Sequence, residues 1–251
     1  MQCRQGCFYL LYRKEKVQIS IGELQEVGKR VDSKKKIIEY ITKNRVSTTE
    51  VADCLEKTGV IENVLPLNRG HFSVGEVQYL YAIQDSNWTV HEDLDADPVS
   101  GKVIFIDAID VHGRAVIGDL VSKYILLYLG NKAVVCTGRM RDAHCLIKEN
   151  YPIWCNGVSP VGCFNRPVDK SEFHETIKVR KEFFQGSIAV CDDSGVVIIP
   201  KDFITEGFYE RLLQIELQED IWYDCIDRRK WSTYRTVCLK DYLKSDAEKM
   251  E

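Results

Sequence analysis

The sequence lacks the motifs that identify several large enzyme classes. Its 251 residues contain no GxxxxGK[ST], GxGxxG, HExxH or GxSxG pattern, which argues against P-loop, Rossmann, zincin and serine-hydrolase chemistry. None of the ten cysteines belongs to a CxxC pair, so a zinc ribbon is not expected. The five histidines are too dispersed along the chain to indicate a histidine-rich metal site.

A strong charge of one sign and long apolar runs are also missing. The 34 basic and 38 acidic residues give a net charge of -4, so nucleic acid is an unlikely partner. No apolar run approaches the ~18 residues of a membrane span, and the apolar patch at 8–12 is too short for a signal peptide. Scattered cysteines inside apolar runs are typical of reduced, buried thiols. We therefore expect a cytoplasmic protein with no membrane partner.

The composition is that of a folded protein, with 45% hydrophobic and 29% charged residues. Charge and aromatic content divide the chain into three segments. Residues 1–45 form a basic N-terminal extension with 11 basic and 5 acidic residues, which is a solvated arm or a site for an acidic partner. Residues 46–221 form the central domain, and 222–251 form an aromatic C-terminal extension.

The patterning of the central domain predicts an α/β fold. Ser47 and Glu50 have the spacing of a capping box that begins a helix. Apolar spacing predicts further helices at 120–129 and 208–221, and a polar stretch predicts a loop at 85–100. Short apolar runs predict strands at 76–83, 103–107, 133–137, 153–155, 188–191 and 196–199. Helices interleaved with buried strands favour a layered or barrel-like sheet.

One combination of residues indicates a specific binding chemistry, and it consists of two dipeptides. Gly118-Asp119 precedes a predicted helix, whose free amides and positive dipole end suit a carboxylate. Arg141-Asp142 follows a predicted strand, and Arg141 could pair with the same carboxylate in bidentate fashion. Asp142 supplies the hard oxygen that magnesium prefers. Together they could bind a 2-oxo acid and stabilise charge on its keto oxygen. The simpler alternative is a local ion pair between Arg141 and Asp142.

These residues resemble the signature of a known family. Gly118-Asp119-Leu120, Gly130 and the segment 137–142 (TGRMRD) resemble the G…G…DGxxRD pattern of the RraA-like family. That family includes regulator of ribonuclease activity A and the 4-hydroxy-4-methyl-2-oxoglutarate/4-carboxy-4-hydroxy-2-oxoadipate aldolases. Further blocks that resemble the family follow in order at 47–55, 64–67, 74–75, 151–160 and 186–200.

The resemblance implies a swivelling β/β/α-type layered domain that assembles as a trimer or a dimer of trimers, with sites between subunits. In the family's aldolases an Arg holds the pyruvyl carboxylate and the adjacent Asp holds magnesium or another divalent cation. On this chain those positions are Arg141 and Asp142. The Asp after the Gly acts with a water on the departing hydroxyl, which implies that role for Asp119.

Substrate binding and a contribution from a neighbouring subunit are implied in the same way. Gly118 and the amides of Leu120 and Val121 correspond to the segment that meets the substrate. A Glu from the late helix of a neighbouring subunit is also expected near the metal. Glu216 and Glu219 both have the required spacing, and the choice between them stays open.

The chain departs from the family pattern at several positions. The aldolases carry an acidic residue three positions after the RD aspartate, where this chain has Cys145 beside His144. Thr137 replaces the first Asp of DGxxRD, and Ser187 replaces the Asp of a later Gly-Asp pair. The interval from Gly118 to Arg141 is one residue longer than usual. Cys145 removes an acid from the expected metal environment. This departure puts the aldolase activity in question but leaves the expected fold intact.

Three functions follow as hypotheses. The first is a magnesium-dependent carbon–carbon lyase acting on 2-oxo acids through a pyruvate enolate, by retro-aldol cleavage or oxaloacetate-type decarboxylation. The second is a non-catalytic RraA-like binding or regulatory protein whose two extensions contact a protein partner. The third is an enzyme of altered chemistry in a specialised pathway that uses Cys145 or His144.

Overall fold

The computed structural model describes residues 8–12, 15–19 and 21–244, with side chains from residue 32 onward. The strands are β1 (Phe8–Tyr12), β2 (Glu15–Ile19), β3 (Leu65–Pro66), β4 (Ser73–Ile83), β5 (Val103–Ile109), β6 (Ala115–Ile117), β7 (Ala133–Cys136), β8 (Arg139–Met140), β9 (Ile153–Cys155), β10 (Ile188–Asp192) and β11 (Gly195–Ile199). The helices are α1 (Ile21–Asn44), α2 (Thr48–Cys54), α3 (Trp88–Ala96), α4 (Asp119–Lys123), α5 (Ala143–Lys148), α6 (His174–Phe184) and α7 (Glu206–Asp227).

Seven strands form one mixed sheet in the order β11-β10-β4-β5-β7-β9-β3. The central neighbours β4, β5, β7 and β9 are parallel, and β10, β11 and β3 pair antiparallel at the two ends. β7 is apolar and buried along its whole length, as expected for a strand covered on both faces. Val60 forms an antiparallel bridge with Val197 of β11, so the sheet is nearly closed. The predicted α/β fold is confirmed, and of the layered and barrel-like sheets that the sequence left open, the sheet is closer to the barrel-like one.

Helices α1, α2 and α7 cover one side of this sheet. The predicted capping box is present, because Glu50 N donates to Ser47 Oγ at 3.2 Å and Ser47 N donates to a Glu50 carboxylate oxygen at 2.6 Å. Thr48 ties the start of α2 to the sheet by donating from its amide and its hydroxyl to the Asp192 carboxylate, both at 2.8 Å. Ile37 of α1 is fully buried, so part of the basic N-terminal segment contributes to the core.

Two stretches differ from the sequence-based assignment. The segment predicted as a loop at 85–100 contains helix α3, which buries Val90 and Leu94 at helical spacing. The acidic and amide residues around them obscured this short apolar stripe. The helix predicted at 208–221 continues to Asp227. The three-segment division at 45 and 221 stays a prediction. No helix within residues 21–244 is long and apolar enough to cross a membrane.

The end of β5 holds a buried carboxylate. Asp107 is 1% exposed and accepts hydrogen bonds from Arg180 Nη1 at 2.9 and 3.1 Å, from Tyr79 Oη at 3.0 Å and from Thr137 Oγ1 at 3.1 Å. Burial, followed by the neighbouring Asp107, raises the pKa of the Tyr79 hydroxyl, so Tyr79 stays a donor. The network joins β4, β5, β7 and α6 at one edge of the sheet.

We predict that Arg180→Met destabilises the fold. The substitution leaves the Asp107 charge buried with two neutral donors, and Arg180 itself is half-exposed. We therefore expect the free energy of unfolding to fall by about 2–4 kcal/mol. Lys178→Met, at an exposed position on the same helix, is the matched control and should change stability by less than about 0.5 kcal/mol. Equal urea midpoints for the two variants would show that the Asp107 pair contributes nothing.

Candidate functional site

A second, two-stranded sheet brings the two dipeptides of the sequence motif together. β6 and β8 are parallel, with Ala115 opposite Arg139 and Ile117 opposite Met140. Arg141 N donates to the Ile117 carbonyl at 3.0 Å. Because parallel strands end at the same edge, Gly118-Asp119 and Arg141-Asp142 leave the sheet side by side.

The extra residue between Gly118 and Arg141 is accommodated inside the intervening helix. After α4 the chain makes a π-helical turn over Tyr124–Tyr128, in which Leu129 N donates to the Tyr124 carbonyl five residues earlier at 3.0 Å. A π turn takes one residue more than an α turn and therefore absorbs a one-residue insertion. The longer interval predicts either a displaced Gly-Asp pair or an insertion in the helix. The π turn and the position of Gly118-Asp119 beside Arg141-Asp142 favour the insertion.

Two glycines form the channel in which the Arg141 side chain lies. A Cβ on Gly118 would lie 2.6 Å from Arg141 Cγ and 2.3 Å from Asp142 Oδ2, and a Cβ on Gly162 would lie 2.8 Å from Arg141 Nη1. Each of these distances is shorter than a side chain allows. The conformation of Arg141 thus depends on the absence of side chains at both positions.

The ion pair between Arg141 and Asp142 is loose. Arg141 Nε lies 3.5 Å from Asp142 Oδ2, and both side chains are roughly half-exposed. Pairs of this kind contribute about 0–1 kcal/mol to stability. Among the described residues no other carboxylate pairs with Arg141, which leaves its two terminal nitrogens free to bind a ligand. The pair by itself therefore contributes little to the stability of the fold.

Asp142 adopts a left-handed backbone conformation, with φ +58°, at the start of α5. This conformation is uncommon outside glycine, and Asn and Asp tolerate it best. It places Asp142 Oδ2 3.3 Å from the amide of Asp119, which donates to it. Asp142 therefore contacts both dipeptides, through Arg141 Nε and through the Asp119 amide.

The first turn of α4 presents free amides on the same side. The first hydrogen bond of the helix runs from Ser122 N to the Gly118 carbonyl at 3.0 Å, and Ser122 Oγ donates to the same oxygen at 2.8 Å. The amides of Leu120 and Val121 precede this bond and have no carbonyl in the helix to donate to. They are two donors near the Arg141 guanidinium.

A cavity of about 90 Å³ lies between these donors and α3. Its lining includes the predicted residues Gly118, Leu120, Val121 and Arg141. It also includes four polar or thiol-bearing residues that sequence reasoning missed: Asn87, His91, Asn165 and Cys163. The sequence contained a signal for Asn87 and His91. Val90 and Leu94 have helical spacing, and a helix predicted from them would begin close to Asn87.

Cys145, which stands where the family's aldolases carry an acidic residue, and its neighbour His144 lie on α5. His144 lines a second cavity of about 370 Å³ on the other side of Arg141, together with Asp142. Cys145 Sγ lies 3.2 Å from His144 Nε2. Neither residue lines the cavity that contains Asn87.

The two candidate glutamates lie elsewhere in the protomer. α7 packs on α1 and α2, and Tyr40 Oη donates to the Glu216 carboxylate. Burial, followed by the nearby acids, raises the pKa of both Glu216 and Glu219. Neither residue lines a cavity beside Arg141. A role at that site requires a neighbouring subunit and stays a prediction.

The donor set suits a hard divalent cation that binds weakly to the protein alone. Within the described residues no group of three or more His, Cys, Asp or Glu side chains could hold a metal ion. Asp142 offers a half-exposed carboxylate that lines the 370 Å³ cavity, and Asp119 is its neighbour through the backbone amide that donates to Asp142 Oδ2. Magnesium is commonly held by one or two carboxylates, with water and substrate completing its shell. The residues present therefore fit magnesium and do not fit a tightly caged metal.

Comparison with known proteins identifies the fold. Residues 48–198 match the RraA-like (Aldolase/RraA) family model. A relative from Halalkalibacterium halodurans named "Putative 4-hydroxy-4-methyl-2-oxoglutarate aldolase" is 30% identical over 187 residues, which are 70% of this chain and 81% of the relative.

Two crystal structures share the architecture. An uncharacterized protein from Pseudomonas syringae pv. tomato superposes with a TM-score of 0.61 and 22% identity, over 77% of this chain and 89% of that one. Streptomyces coelicolor RraAS2, described as an unusual member of the RNase ES inhibitor RraA protein family, superposes with a TM-score of 0.59 and 20% identity, over 74% and 96%. The predicted RraA-like fold is confirmed.

We predict that Gly118→Ala disables the site without unfolding the protein. The new methyl group would displace Arg141 and Asp142, whose side chains can swing into solvent. We expect oxalate affinity, measured by calorimetry with magnesium, to fall about tenfold or more, since a charge-assisted bidentate contact is lost. Gly207→Ala in α7 is the control, because its Cβ would meet nothing closer than 3.8 Å. Similar oxalate affinities for the two variants would contradict the prediction.

Proposed function

This chain belongs to the RraA-like family, and we propose on that basis that it is a divalent-metal-dependent carbon–carbon lyase acting on 2-oxo acids. One observation carries the proposal. The Arg141 guanidinium lies in a glycine channel, with its terminal nitrogens unpaired among the described residues and facing a small cavity. A relative named as an aldolase supports the same activity.

The substrate carboxylate binds to Arg141 in this proposal. A guanidinium matches a carboxylate with two parallel hydrogen bonds, which fixes orientation as well as position. The amides of Leu120 and Val121 supply further donors at the same cavity. All of these donors are held by the backbone or by the glycine channel, so little reorganisation is needed when negative charge develops.

Asp142 is the proposed metal ligand. It would hold Mg²⁺ or another divalent cation, which supplies positive charge beside the 2-oxo group when bound. Asp119 lies next to it and remains the proposed proton acceptor. Its backbone amide already donates to Asp142, which orients the two residues relative to each other.

The reaction breaks the bond between C3 and C4 of the 2-oxo acid. In a retro-aldol cleavage the C4 hydroxyl proton passes through a water to Asp119, a carbonyl forms at C4, and the electron pair of the broken bond moves to C3. In a decarboxylation the C4 carboxylate departs as CO₂, and the electron pair of the broken bond likewise moves to C3. Both routes give a pyruvate enolate, which then takes a proton at C3. Arg141 and the α4 amides stabilise its charge, and losing one such donor typically costs about 10²- to 10³-fold.

The second candidate is a binding protein without catalytic activity. One observation favours it: the acid expected three positions after Asp142 is Cys145. RraAS2 is described as belonging to a family of RNase inhibitors. Such a protein would retain the fold and bind a partner protein through its surface.

We predict that Arg141→Lys and Asp142→Asn both abolish the activity. Lysine keeps the charge but loses the planar fork, so oxaloacetate decarboxylation and oxalate binding should fall about 10²-fold or more. Asparagine tolerates the positive φ of Asp142, which alanine would strain, and removes only the charge. Magnesium dependence of oxalate binding should disappear in this variant.

Arg139→Lys is the matched control, because Arg139 is an exposed arginine two residues earlier on β8. It should behave as wild type in both assays. Oxalate binding that needs no magnesium and survives both substitutions would overturn the lyase proposal and favour the binding protein.

We further propose that the protein assembles as a homotrimer or a hexamer in the cytoplasm. Leu120 and Tyr128, on the helix beside the cavity, are 80% and 75% exposed, and Leu127 is also exposed. Apolar side chains grouped in this way mark an interaction surface. The eight described cysteines are all free thiols, which supports a reducing compartment.

We predict a trimeric or hexameric mass by light scattering at micromolar concentration. Leu127→Asp should shift the protein toward monomer, because a charge is costly to bury at an interface. Val179→Asp, at an exposed apolar position on α6, is the control. A wild-type monomer would contradict both the assembly and a site shared between subunits.

A further inference from the structure

Residues 161–166 border the site and belong to none of the named strands. They run beside β6, where Ala115 N donates to the Val161 carbonyl at 2.8 Å and Cys163 N donates to the Ala115 carbonyl at 2.9 Å. The side chains of Cys163 and Asn165 line the 90 Å³ cavity. Residues 161–166 therefore form one wall of the proposed substrate site, and we call them the wall segment.

The Arg141 guanidinium lies directly against Gly162 of the wall segment. The position that a Cβ would take on Gly162 is 2.8 Å from Arg141 Nη1, 3.5 Å from Cδ and 3.6 Å from Cζ. Because these groups are already so close, the wall segment cannot move toward Arg141 without displacing the guanidinium. Movement in the opposite direction would open a gap beside it. The orientation of Arg141 therefore depends on where Gly162 is held.

A second arginine binds Gly162 from outside the cavity. Arg114 Nη1 donates to the Gly162 carbonyl at 3.1 Å, and no other donor to this oxygen occurs among the residues that the structure describes. Arg114 lines neither of the two cavities beside Arg141. A hydrogen bond from a charged donor is stronger than one between neutral groups. Arg114 thus fixes the residue against which Arg141 lies, although it does not reach the site itself.

Two further contacts fix the Arg114 guanidinium in turn. Its Nε lies 3.4 Å from Asp85 Oδ2, and its Cζ lies 4.4 Å from the centre of the Phe164 ring. Phe164 belongs to the wall segment, and its amide donates to the Asp85 carbonyl at 2.8 Å. One planar cation therefore joins the start of β6, the turn after β4 and the wall segment. A lysine ammonium has no plane and no fork, so it cannot make all three contacts at once.

We propose that Arg114 is a positioning residue of the lyase site, which holds Gly162 in place and thereby orients the Arg141 guanidinium toward the substrate carboxylate. This inference rests on the proposed lyase function and adds to it a residue outside the cavity. Arg114 contacts no reacting atom and exchanges no proton. A misplacement of about 1 Å that originates far from the reacting atoms can lower the rate about 10²-fold. Loss of Arg114 can therefore disable the site in a protein that still folds.

The test measures oxalate affinity and oxaloacetate decarboxylation, both with magnesium, in wild type and in two Arg114 variants. In Arg114→Met we expect kcat/KM to fall about 10- to 100-fold and oxalate affinity to fall about tenfold, because Arg141 loses its binding orientation. Arg114→Lys keeps the charge but loses the planar contacts, so it should be impaired as well. If the methionine variant does not fold, the lysine variant decides the question.

Arg166→Met is the matched control. Arg166 Cζ lies 4.6 Å from the centre of the same Phe164 ring, but its exposed side chain makes no bond to Gly162. This variant removes an arginine from the wall segment itself and should resemble wild type in both assays. A loss as large as that in Arg114→Met would overturn the inference, since the bond to Gly162 would then not be the cause.

A double-mutant cycle separates positioning from general structural damage. If Arg114 acts through Arg141, then Arg114→Met should lower kcat/KM less than about twofold when Arg141 is already replaced by lysine, because the group that it positions is gone. General damage would lower kcat/KM by the same factor in both backgrounds. The cycle therefore gives a result that a merely structural role of Arg114 would not produce.

Failure of the inference and failure of the proposed function give different results. Equal factors in the two backgrounds, or wild-type oxalate affinity in both Arg114 variants, would show that Arg114 does not position Arg141, while the lyase function stands. If wild type neither binds oxalate nor decarboxylates oxaloacetate, the proposed function has failed and the inference with it.

Discussion

The contact between Gly118 and the Arg141-Asp142 pair is the constraint on which the site depends. It exists because the short parallel pair β6–β8 ends both dipeptides at one edge, and because Gly118 has no Cβ to separate them. The absence of a Cβ at Gly118 and Gly162 leaves the space that the Arg141 side chain occupies, and its ion pair with Asp142 is long and half-exposed. A guanidinium positioned by the backbone in this way keeps its hydrogen-bonding capacity for a ligand. Its orientation therefore does not have to be established when substrate binds.

The network around Asp107 explains one departure from the family pattern. Thr137 stands where the family signature has an Asp, and its hydroxyl donates to Asp107 and accepts from the Ala108 amide at 2.8 Å. A second carboxylate at that position would face the buried Asp107 charge at about the same distance, and like charges so close are unfavourable. Thr137 is thus a structural hydrogen-bonding residue in this chain.

The sequence predicted most of the strands, and the reasons for the misses are physical. Runs such as 103–107 and 133–137 are apolar throughout because both faces of a parallel sheet are covered, and this pattern is unambiguous. Helix α6 has no fully buried residue, so its sequence carries no apolar stripe, and it is fixed instead by the stacking of Phe184 on Phe105 at 4.3 Å. The same limit applies to the site. Arg141 and Asp142 stand in a recognisable motif, whereas Asn87 reaches the cavity from the start of α3, a helix whose short apolar stripe the surrounding acidic and amide residues obscured.

The acidic residues that are missing from the site have an electrostatic consequence. With Cys145 in place of an acid, Asp142 and Asp119 are the carboxylates left beside Arg141, so a divalent cation gains less from the protein alone. Magnesium exchanges its waters reluctantly and favours sites completed by the ligand's own oxygens. The positive Arg141 is correspondingly less neutralised, which favours the binding of an anionic acid. In the proposed lyase, substrate and metal would bind at the same site, and by linkage each should raise the affinity of the other. On the proposal that Asp142 holds the cation and Arg141 the carboxylate, a weaker metal site and a stronger carboxylate site are two expected results of having Cys145 in place of an acid.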